Sequence, residues 1–241
     1  AHALKVATSD INEDSRVLVL FGDVPLIDPE TIRRMLDLLE SSDLVILTME
    51  VLDPSGYGRI LRDRDGKIEG IVEQKDATSY QEKICEINTG VMAIDGSKLS
   101  HWLSQIRKNN VQGEYYLTDV VSLARQDGDD IRSVSPNSVE EIEGVNNRLQ
   151  LARLERHYQL KLAEKLLLSG TSLADPSRFD QRGELIVGRD TFIDVNCVFE
   201  GSVELGSGVL IGPNCQIKNT RIGDKAIILA NSVIEASSIG S

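Results

Sequence analysis

The last third of the sequence repeats with a period of six residues, and this feature constrains the fold more than any other. Apolar residues recur at near-sixfold spacing, and glycine directly follows several of them. Such a period predicts short strands that form the sides of a β-solenoid, where each apolar side chain stacks on its equivalent in the next coil. A meander with evenly spaced turns is the alternative that the sustained period disfavours. The shorter step from Ile217 to Ile222 is tolerable at a corner of the solenoid. The series is Val187, Ile193, Phe199, Leu205, Ile211, Ile217, Ile222, Ile228, Ile234 and Ile239.

A long amphipathic helix is predicted before this repeat. From Glu143 to Gly170, apolar residues recur at helical spacing, with charged residues of both signs between them. The helix is most simply a spacer packed between domains, and Gly170 ends it. Its mixed charges do not favour binding to nucleic acid or to a membrane. The apolar stripe comprises Leu151, Leu154, Tyr158, Leu162 and Leu166.

The first half alternates between strand and helix patterns, which is typical of an α/β sheet with helices on its faces. The apolar run at 16–21 is interpreted as a strand buried on both faces of a parallel sheet. Asp28 is a suitable N-cap and Pro29 a suitable first residue for the helix that follows. Asp65-Gly66 lies between two strand patterns and predicts a hairpin with a type I′ turn. Further strands are predicted at 44–47 and 91–94, and a further helix at 99–106.

The net charge of -12 over 241 residues narrows the choice of partners. It disfavours nucleic acid and anionic membranes, and the sequence contains no basic patch that would attract either. No apolar stretch approaches membrane-spanning length and nothing at the start resembles a secretory signal, so we expect a cytoplasmic protein. Cys85, Cys197 and Cys215 are widely spaced, which predicts reduced structural thiols rather than disulfides or a zinc site.

The stretch VLVLFGDVPLI at 17–27 places one carboxylate, Asp23, directly after a glycine at the end of the first predicted strand. In open α/β sheets, ligands bind beyond the carboxyl ends of strands, where the connections part. A carboxylate there suits Mg²⁺, which takes oxygen ligands and shares its coordination shell with substrate phosphates. Asp23 equally suits a cap for the turn or for the following helix, and the residues alone leave both roles open.

Motifs along essentially the whole chain resemble, in the same order, the bacterial bifunctional enzymes of UDP-N-acetylglucosamine synthesis. This family joins an N-acetylglucosamine-1-phosphate uridyltransferase domain to a glucosamine-1-phosphate acetyltransferase domain. The resemblance implies an α/β, Rossmann-like nucleotidyltransferase (pyrophosphorylase) domain at 1–145, a linker helix at 146–170, and the start of a left-handed parallel β-helix at 171–241. The motifs are GDVPLI at 22–27, DPSGYGRI at 53–60, GIVEQKDAT at 70–78, EINTGVMAI at 86–94, NNVQGEYYLTDVV at 109–121 and EGVNNRLQLARLE at 143–155.

The resemblance also implies site residues. Asp23 and Asn146 resemble the family's two magnesium ligands, and Phe21 and Gly22 lie on the segment that holds the nucleotide sugar. We expect tyrosine in some relatives at the position of Phe21, where phenylalanine cannot form a side-chain hydrogen bond. Each residue also has a structural alternative, such as Asn146 as N-cap of the long helix. The residues implied to bind UDP-N-acetylglucosamine are Phe21, Gly22, Asp23, Gly58, Glu73, Asn88, Thr118 and Asn146, of which Gly58, Glu73, Asn88 and Thr118 hold the N-acetylglucosamine moiety.

The reaction implied is in-line attack by the phosphate of N-acetylglucosamine 1-phosphate on the α-phosphorus of UTP, with release of pyrophosphate. A phosphate is already anionic and needs no general base, so we assign no catalytic role to His2, His101 or His157. The family's glycine-rich nucleotide loop has no counterpart in this sequence, and the repeat ends before the family's acetyl-CoA site. We therefore expect a fragment of a longer protein, with no complete site for either reaction.

The partners implied by the resemblance are the small-molecule substrates, with acetyl-CoA as a substrate of the full-length parent, and further copies of the chain in a homotrimer formed through the β-helix. Two alternatives stay open. The first is another sugar-1-phosphate nucleotidyltransferase with hexapeptide repeats, such as a glucose-1-phosphate adenylyltransferase or a mannose-1-phosphate guanylyltransferase. The second is a non-catalytic module that assembles three copies through its solenoid.

Overall fold

A computed structural model of the protein describes residues 2–7 and 11–241. Its internal contacts divide the chain into two units, Ala1–Val145 and Asn146–Ser241. The alternation of strands and helices lies in the first unit. The long helix and the six-residue repeat lie together in the second unit.

The described residues of the first unit form six strands and four α-helices. The strands are β1 (Arg16–Val19), β2 (Leu44–Glu50), β3 (Gly58–Arg62), β4 (Ile68–Val72), β5 (Glu86–Asp95) and β6 (Ile131–Val134). The helices are α1 (His2–Ala7), α2 (Pro29–Leu39), α3 (Gly96–Gln105) and α4 (Asp119–Asp127).

The ten-residue strand β5 organises a mixed sheet with the strand order β4-β3-β5-β2-β6. One edge of β5 pairs with β2, and the other edge is shared by β3 near Asn88 and by β1 near Met92. All of these pairs are antiparallel, whereas β2 and β6 are parallel. The prediction that the first strand is buried on both faces of a parallel sheet was therefore wrong, because β1 is antiparallel to β5 and only partly buried. An apolar run indicates burial but carries no information about the direction of its neighbour.

Each face of this sheet has its own hydrophobic core. Successive side chains of a strand point to opposite faces, and β2 shows this clearly. Leu44 and Ile46 pack with residues of α3 and α4, whereas Val45 and Leu47 pack with residues of α2. Helices therefore cover both faces, which confirms the predicted α/β class for the first unit.

Two local signals in the first unit had different outcomes. The Asp28 side chain caps α2 as predicted, accepting a hydrogen bond from the backbone N–H of Glu30 at 2.9 Å. Asp65-Gly66 does connect β3 to β4, but the predicted type I′ turn was wrong. Such a turn needs a positive φ at both central residues, and only Gly66 has one, at 80°. The Gly66 N–H donates to the Asp63 carbonyl at 3.0 Å, so one left-handed glycine closes a longer turn.

The second unit begins with α5 (Arg148–Leu168) and continues as ten strands that pair only in parallel. This arrangement confirms the predicted β-solenoid. The strands are β7 (Ser172–Leu173), β8 (Phe179–Val187), β9 (Phe192–Ile193), β10 (Cys197–Leu205), β11 (Leu210–Ile211), β12 (Gln216–Lys218), β13 (Arg221–Ile222), β14 (Ile227–Ile228), β15 (Val233–Glu235) and β16 (Ser238–Ile239).

Asparagines occupy one corner of three successive coils. Asn196, Asn214 and Asn231 have φ values of 59°, 60° and 62°, in the left-handed region that asparagine tolerates better than most residues. Asn196 Nδ2 donates to Asn214 Oδ1, 18 residues later, at 2.9 Å. Asn214 Nδ2 donates to Asn231 Oδ1, 17 residues later, at 3.3 Å. These hydrogen bonds form a ladder of asparagine side chains, which continues unbroken although one coil is a residue shorter than the other.

The shorter coil begins at another corner, where such a slip is tolerable. Glu200 of β10 pairs with Lys218 of β12, but Glu204 of the same strand pairs with Arg221 of β13. One residue is therefore missing between Lys218 and Arg221. The corner there contains Asn219, whose φ is 46°. A deletion at a corner leaves the stacking of the apolar side chains intact.

The predicted apolar series forms the interior of the solenoid. Phe199, Leu205 and Ile211 are among its buried residues, and two cysteines stack in the same core. Cys197 and Cys215 are buried free thiols, consistent with the predicted structural role, whereas Cys85 is an exposed free thiol. Burial raises the pKa of Cys197 to about 11.

The helix α5 packs against β8 of its own unit, and polar residues hold it there. Gln159 Nε2 donates to the Gln181 carbonyl at 2.9 Å, and the Gln181 N–H donates back to Gln159 Oε1 at 2.7 Å. The predicted apolar stripe is only partly buried, because Leu154 is 1% exposed whereas Leu151 is 52% and Tyr158 43% exposed. Neither α5 nor another helix among the described residues combines the length and apolar content needed to cross a membrane.

Candidate functional site

A cavity of about 750 Å³ opens in the first unit beside the end of β1. Apolar residues of α1 and β1 form part of its lining. Five residues that the resemblance implies for the site also line it, and they come from five separate segments of the chain. These residues are Phe21, Gly58, Glu73, Asn88 and Thr118. The described lining does not contain Gly22, Asp23 or Asn146.

One wall of the cavity is built from Glu73, Thr118 and Gly58. Thr118 is buried at the start of α4, and its Oγ1 donates to Glu73 Oε1 at 2.9 Å. The second carboxylate oxygen of Glu73 faces Gly58, where an added Cβ would lie 3.5 Å from it and 3.0 Å from Ile71 Cγ2. Glycine at 58 therefore keeps open the space in front of a carboxylate oxygen that can still accept hydrogen bonds.

Asn88 lies in an irregular part of β5. The pairing of β5 with β2 shifts register between Ile46 and Thr48, and bulges of this kind often re-aim side chains next to active sites. Asn88 Oδ1 accepts a hydrogen bond from the Gly90 N–H at 3.1 Å. This contact orients the buried side chain and leaves its Nδ2 available as a donor.

The aromatic ring of Phe21 packs directly on the backbone of Gly90. Gly90 has a φ of 86°, and a Cβ there would overlap the ring. Phe21 remains 47% exposed at the cavity, where it offers an apolar face and no hydrogen-bonding group. The glycine thus serves two needs, a left-handed backbone and close approach of an aromatic ring.

Carboxylates make the Glu73 side of the cavity acidic. Partial burial raises the pKa of Asp119, and the nearby Glu73 and Asp76 raise it further. Partial burial also raises the pKa of Tyr116, with Asp76 adding to the effect. Acidic surroundings attract hydroxyl and amide donors and repel phosphate groups. This wall therefore suits the sugar ring of a ligand better than its phosphates.

Asp23 lies outside this wall, in the turn that follows β1. The Val24 N–H donates to the Phe21 carbonyl at 3.3 Å, which places Gly22 and Asp23 at the centre of the turn. The Asp23 side chain is exposed, and no hydrogen bond or ion pair engages its carboxylate among the described residues. The alternative role as N-cap of α2 is wrong, because Asp28 fills it.

The donor set at Asp23 fits a magnesium ion that is held mainly by substrate and water. Mg²⁺ in substrate complexes often has only one or two protein ligands and completes its shell with phosphate and water oxygens. In the described part of the chain, no group of three or more His, Cys, Asp or Glu side chains is arranged to hold a metal. A single exposed carboxylate such as Asp23 is consistent with that kind of site.

Asn146 is not the N-cap of α5. Its neighbour Asn147 is, with the Asn147 side chain accepting a hydrogen bond from the Gln150 N–H at 3.0 Å. The Gln150 side chain accepts in turn from the Asn146 N–H at 2.8 Å. The capping alternative for Asn146 was therefore wrong. Its exposed side chain has no hydrogen bond among the described residues, so its amide oxygen is available to a ligand.

Three tyrosines at the cavity were not selected from the sequence. Tyr57, Tyr115 and Tyr116 all contribute to the lining. The Nζ atoms of Lys5 and Lys108 lie 4.2 and 4.7 Å from the centre of the Tyr115 ring, within the range of cation–π attraction. The only available signal was the position of these aromatic residues inside motifs that also carry Gly58 and Thr118.

Comparison with known proteins supports the resemblance. Residues 185–219 match the family model of the bacterial transferase hexapeptide (six repeats). The chain is 50% identical over 240 residues to the "Bifunctional protein GlmU" of Marinobacter nauticus, with 100% of this chain and 53% of that protein covered. It is 48% identical over 239 residues to the protein of the same name from Pseudoalteromonas atlantica, with 99% and 52% covered. The chain therefore spans about half the length of the curated relatives it matches.

A solved structure shows a more distant likeness. It is a candidate glucose-1-phosphate thymidylyltransferase from Bacillus anthracis in complex with sucrose, at 19% identity and a TM-score of 0.47. The likeness covers 64% of this chain and 58% of that chain. The sequence similarity to the two bifunctional proteins, in contrast, extends over this whole chain.

Proposed function

We propose that this chain, similar over its whole length to bifunctional proteins named GlmU, carries the sugar-binding part of a uridyltransferase that makes UDP-N-acetylglucosamine. The observation that supports this most directly is a set of three polar side chains at the cavity, Glu73, Thr118 and Asn88, which together form a polar wall. It places carboxylate, hydroxyl and amide groups around one cavity, on residues fixed by strand pairing and by a helix start.

These groups suit a sugar with hydroxyl and acetamido substituents. Glu73 Oε2 can accept from a sugar hydroxyl or from an amide N–H, because only its other oxygen is engaged by Thr118. Asn88 Nδ2 can donate to a sugar oxygen or to the acetyl carbonyl. The ring of Phe21 supplies an apolar surface against which a ligand can pack. Fixed donors and acceptors in a largely apolar cavity are typical of small-molecule sites.

The proposed reaction needs positioning more than acid–base chemistry. A phosphate oxygen of N-acetylglucosamine 1-phosphate forms a bond to the α-phosphorus of UTP, and the bond to pyrophosphate breaks. The polar wall would hold the sugar so that its phosphate lies away from Glu73 and Asp119, whose carboxylates repel it. Correct placement of the two reactants can supply much of the rate enhancement.

We assign Asp23 and Asn146 as the protein ligands of Mg²⁺, and Gly22 as part of the turn that presents Asp23. When bound, Mg²⁺ neutralises charge that develops on the phosphates. The exposed carboxylate of Asp23, which has no partner among the described residues, supports its assignment, and the amide oxygen of Asn146 is a second hard donor. The role of Asp23 itself is to hold a negative charge at a fixed point beyond β1.

For the parent protein we propose a second activity, the acetyl-CoA-dependent acetylation of glucosamine 1-phosphate. The hexapeptide match and the parallel solenoid support this assignment. We assign no residue of 171–241 to the acetyl transfer. We also propose that copies of the chain associate as a homotrimer through the solenoid.

Calorimetric titration of UDP-N-acetylglucosamine in the presence of Mg²⁺ tests the sugar site. Thr118→Val should weaken binding by up to about tenfold, because Glu73 loses the hydroxyl that orients its carboxylate and one hydrogen bond contributes about 0.5–1.5 kcal/mol. Thr118→Ser keeps the hydroxyl and should bind like the unchanged chain. ADP-glucose and GDP-mannose should bind more weakly. Equal binding of all three nucleotide sugars, or no effect of Thr118→Val, would refute the proposed sugar site.

The same titration with and without Mg²⁺ tests the metal assignment. Asp23→Asn should remove the magnesium dependence of binding. Asp65→Asn changes another exposed turn carboxylate and serves as the matched control. If both variants keep the magnesium dependence, Asp23 is not the ligand.

A further inference from the structure

Glu141 is a buried carboxylate that the proposed reaction does not use. It is 2% exposed, and no direct ion pair engages it among the described residues. Its Oε2 accepts from Thr31 Oγ1 at 2.7 Å and from the Asp28 N–H at 3.4 Å, while Oε1 accepts from the Asn137 N–H at 2.9 Å. A buried charge of this kind is costly unless hydrogen bonds satisfy it, and here both oxygens are used.

Arg34 reinforces the same contact from α2. Its Nη2 donates to Thr31 Oγ1 and to the Ser135 carbonyl, each at 3.0 Å, and to Asn137 Oδ1 at 3.2 Å. The Thr31 hydroxyl therefore bridges the positively charged Arg34 guanidinium and the Glu141 carboxylate. The network joins the start of α2 to the segment that follows β6.

A second link joins the same two segments at Asp23. The Val145 N–H donates to the Asp23 carbonyl at 2.8 Å. Asp23 is hydrogen-bonded to Val145, and Thr31, later in the chain, is hydrogen-bonded to Glu141, earlier in the chain, so the two segments lie side by side in opposite directions. Residues 23–31 and 137–145 are therefore held together near both ends, once by a buried carboxylate and once through the backbone of the residue assigned to Mg²⁺.

We infer that Glu141 is a positioning residue that fixes the place of the Asp23 carboxylate. The turn at Asp23 is exposed, and it is tied to the rest of the unit by the packing of Phe21 on Gly90 and by the Val145 hydrogen bond, so its position depends in part on the segment that carries Val145. Glu141 sets the separation of those segments, and the Val145 link transmits that separation to Asp23. This inference rests on the proposed role of Asp23 as a magnesium ligand.

Mn²⁺ binding measured by electron paramagnetic resonance, with UDP-N-acetylglucosamine present, tests this role. In Glu141→Gln an NH₂ group replaces one acceptor oxygen and faces a donor, so one of the ties is lost. We expect a weaker Mn²⁺ affinity by about tenfold, the lower end of the range for residues hydrogen-bonded directly to a metal ligand, because Glu141 acts on Asp23 only through the backbone. Glu30→Gln alters an exposed glutamate on α2 and should leave the affinity unchanged.

Hydrogen–deuterium exchange separates positioning from a general loss of structure. In Glu141→Gln, peptides covering 23–31 and 139–145 should exchange faster, whereas peptides covering β5 should not change. Titration of UDP-N-acetylglucosamine without metal should also be unaffected, because Glu141 does not line the cavity. Faster exchange together with unchanged Mn²⁺ affinity would show a merely structural role and overturn the inference.

Asp23→Ala tests the metal role of Asp23 separately, and Thr31→Val replaces Glu141→Gln if that variant does not fold. If Asp23→Ala leaves Mn²⁺ binding unchanged, the proposed metal role of Asp23 fails and this inference fails with it. If Asp23→Ala abolishes binding while Glu141→Gln does not alter it, only the inference fails. Should Glu141→Gln not fold, Thr31→Val removes the 2.7 Å hydrogen bond with little change of shape. Its Mn²⁺ affinity should then fall, and an unchanged value would overturn the inference.

Discussion

Replacing Gly90 with alanine should reveal how tightly the backbone and an aromatic ring are coupled at the cavity. Gly90 has a φ of 86°, where alanine costs about 1–2 kcal/mol. The new methyl group would also overlap the ring of Phe21 and displace it. That ring is 47% exposed. Losing its packing should cost about half of the ~1.5–3 kcal/mol for a fully buried phenylalanine, or about 1 kcal/mol.

Gly66→Ala is a matched control for the backbone cost alone. Gly66 has a φ of 80°, and no atom lies within 4 Å of an added Cβ. We therefore expect a loss of unfolding free energy of about 2–3 kcal/mol for Gly90→Ala and about 1–2 kcal/mol for Gly66→Ala. The sole tryptophan, Trp102, is fully buried in α3, so its fluorescence during urea unfolding reports on the first unit only.

A double-mutant cycle with Phe21→Ala isolates the contribution of the ring. Once the ring is absent, Gly90→Ala should cost no more than Gly66→Ala. UDP-N-acetylglucosamine should also bind Gly90→Ala more weakly, because the displaced ring changes the cavity. Equal destabilisation by Gly90→Ala and Gly66→Ala in the unchanged background would refute the reasoning.

Three other perturbations have defined outcomes. The folded-state pKa of Asp119 lies above its ordinary value of 3.8, so its charge opposes folding as the pH rises past that value. Asp119→Asn should therefore raise the free energy of unfolding at neutral pH and have no such effect once the carboxyl is protonated in both states, as urea titrations across pH would show. Asn214→Ala should lower the thermal midpoint of the solenoid, followed by circular dichroism, more than Asn214→Gly. Both variants lose the ladder, but alanine also costs about 1–2 kcal/mol in the left-handed region. At pH 8 a thiol reagent should label Cys85 and spare Cys197 and Cys215, because both are buried in the solenoid and burial also raises the pKa of Cys197 to about 11. Rapid labelling of all three in the native protein would contradict the solenoid core.

The sequence indicated which residues line the cavity because its motifs resemble those of one enzyme family in the same order along the chain. Glu73 and Thr118 were implied together, and the structure shows their side chains hydrogen-bonded. Their shared wall was not deducible from either residue alone, since each also fits an ordinary strand or helix start. Tyr115 was missed because an aromatic residue in a loop carries no signal of its own until the loop is placed over a cavity.

Two local predictions failed because the sequence pattern fits more than one local structure. Asn146 and Asn147 are both good N-caps, and only the path of the chain into α5 selects Asn147. Asp65-Gly66 fits a two-residue hairpin, but the pairing of β3 with β4 closes a longer turn. In both cases the decisive information is the position of the flanking segments.

The six-residue period was sufficient to predict the solenoid because each side of a coil repeats the same local pattern. An inward apolar residue and a corner that tolerates left-handed backbone recur along the chain, and contacts join residues only 17 or 18 positions apart. The cavity of the first unit is different, because Phe21, Gly58, Glu73, Asn88 and Thr118 are separated widely in sequence. Strand pairing around β5 brings them together, and burial on both faces of that sheet fixes their positions. No repeated local pattern encodes that pairing, so only the tertiary structure decided the shape of the site.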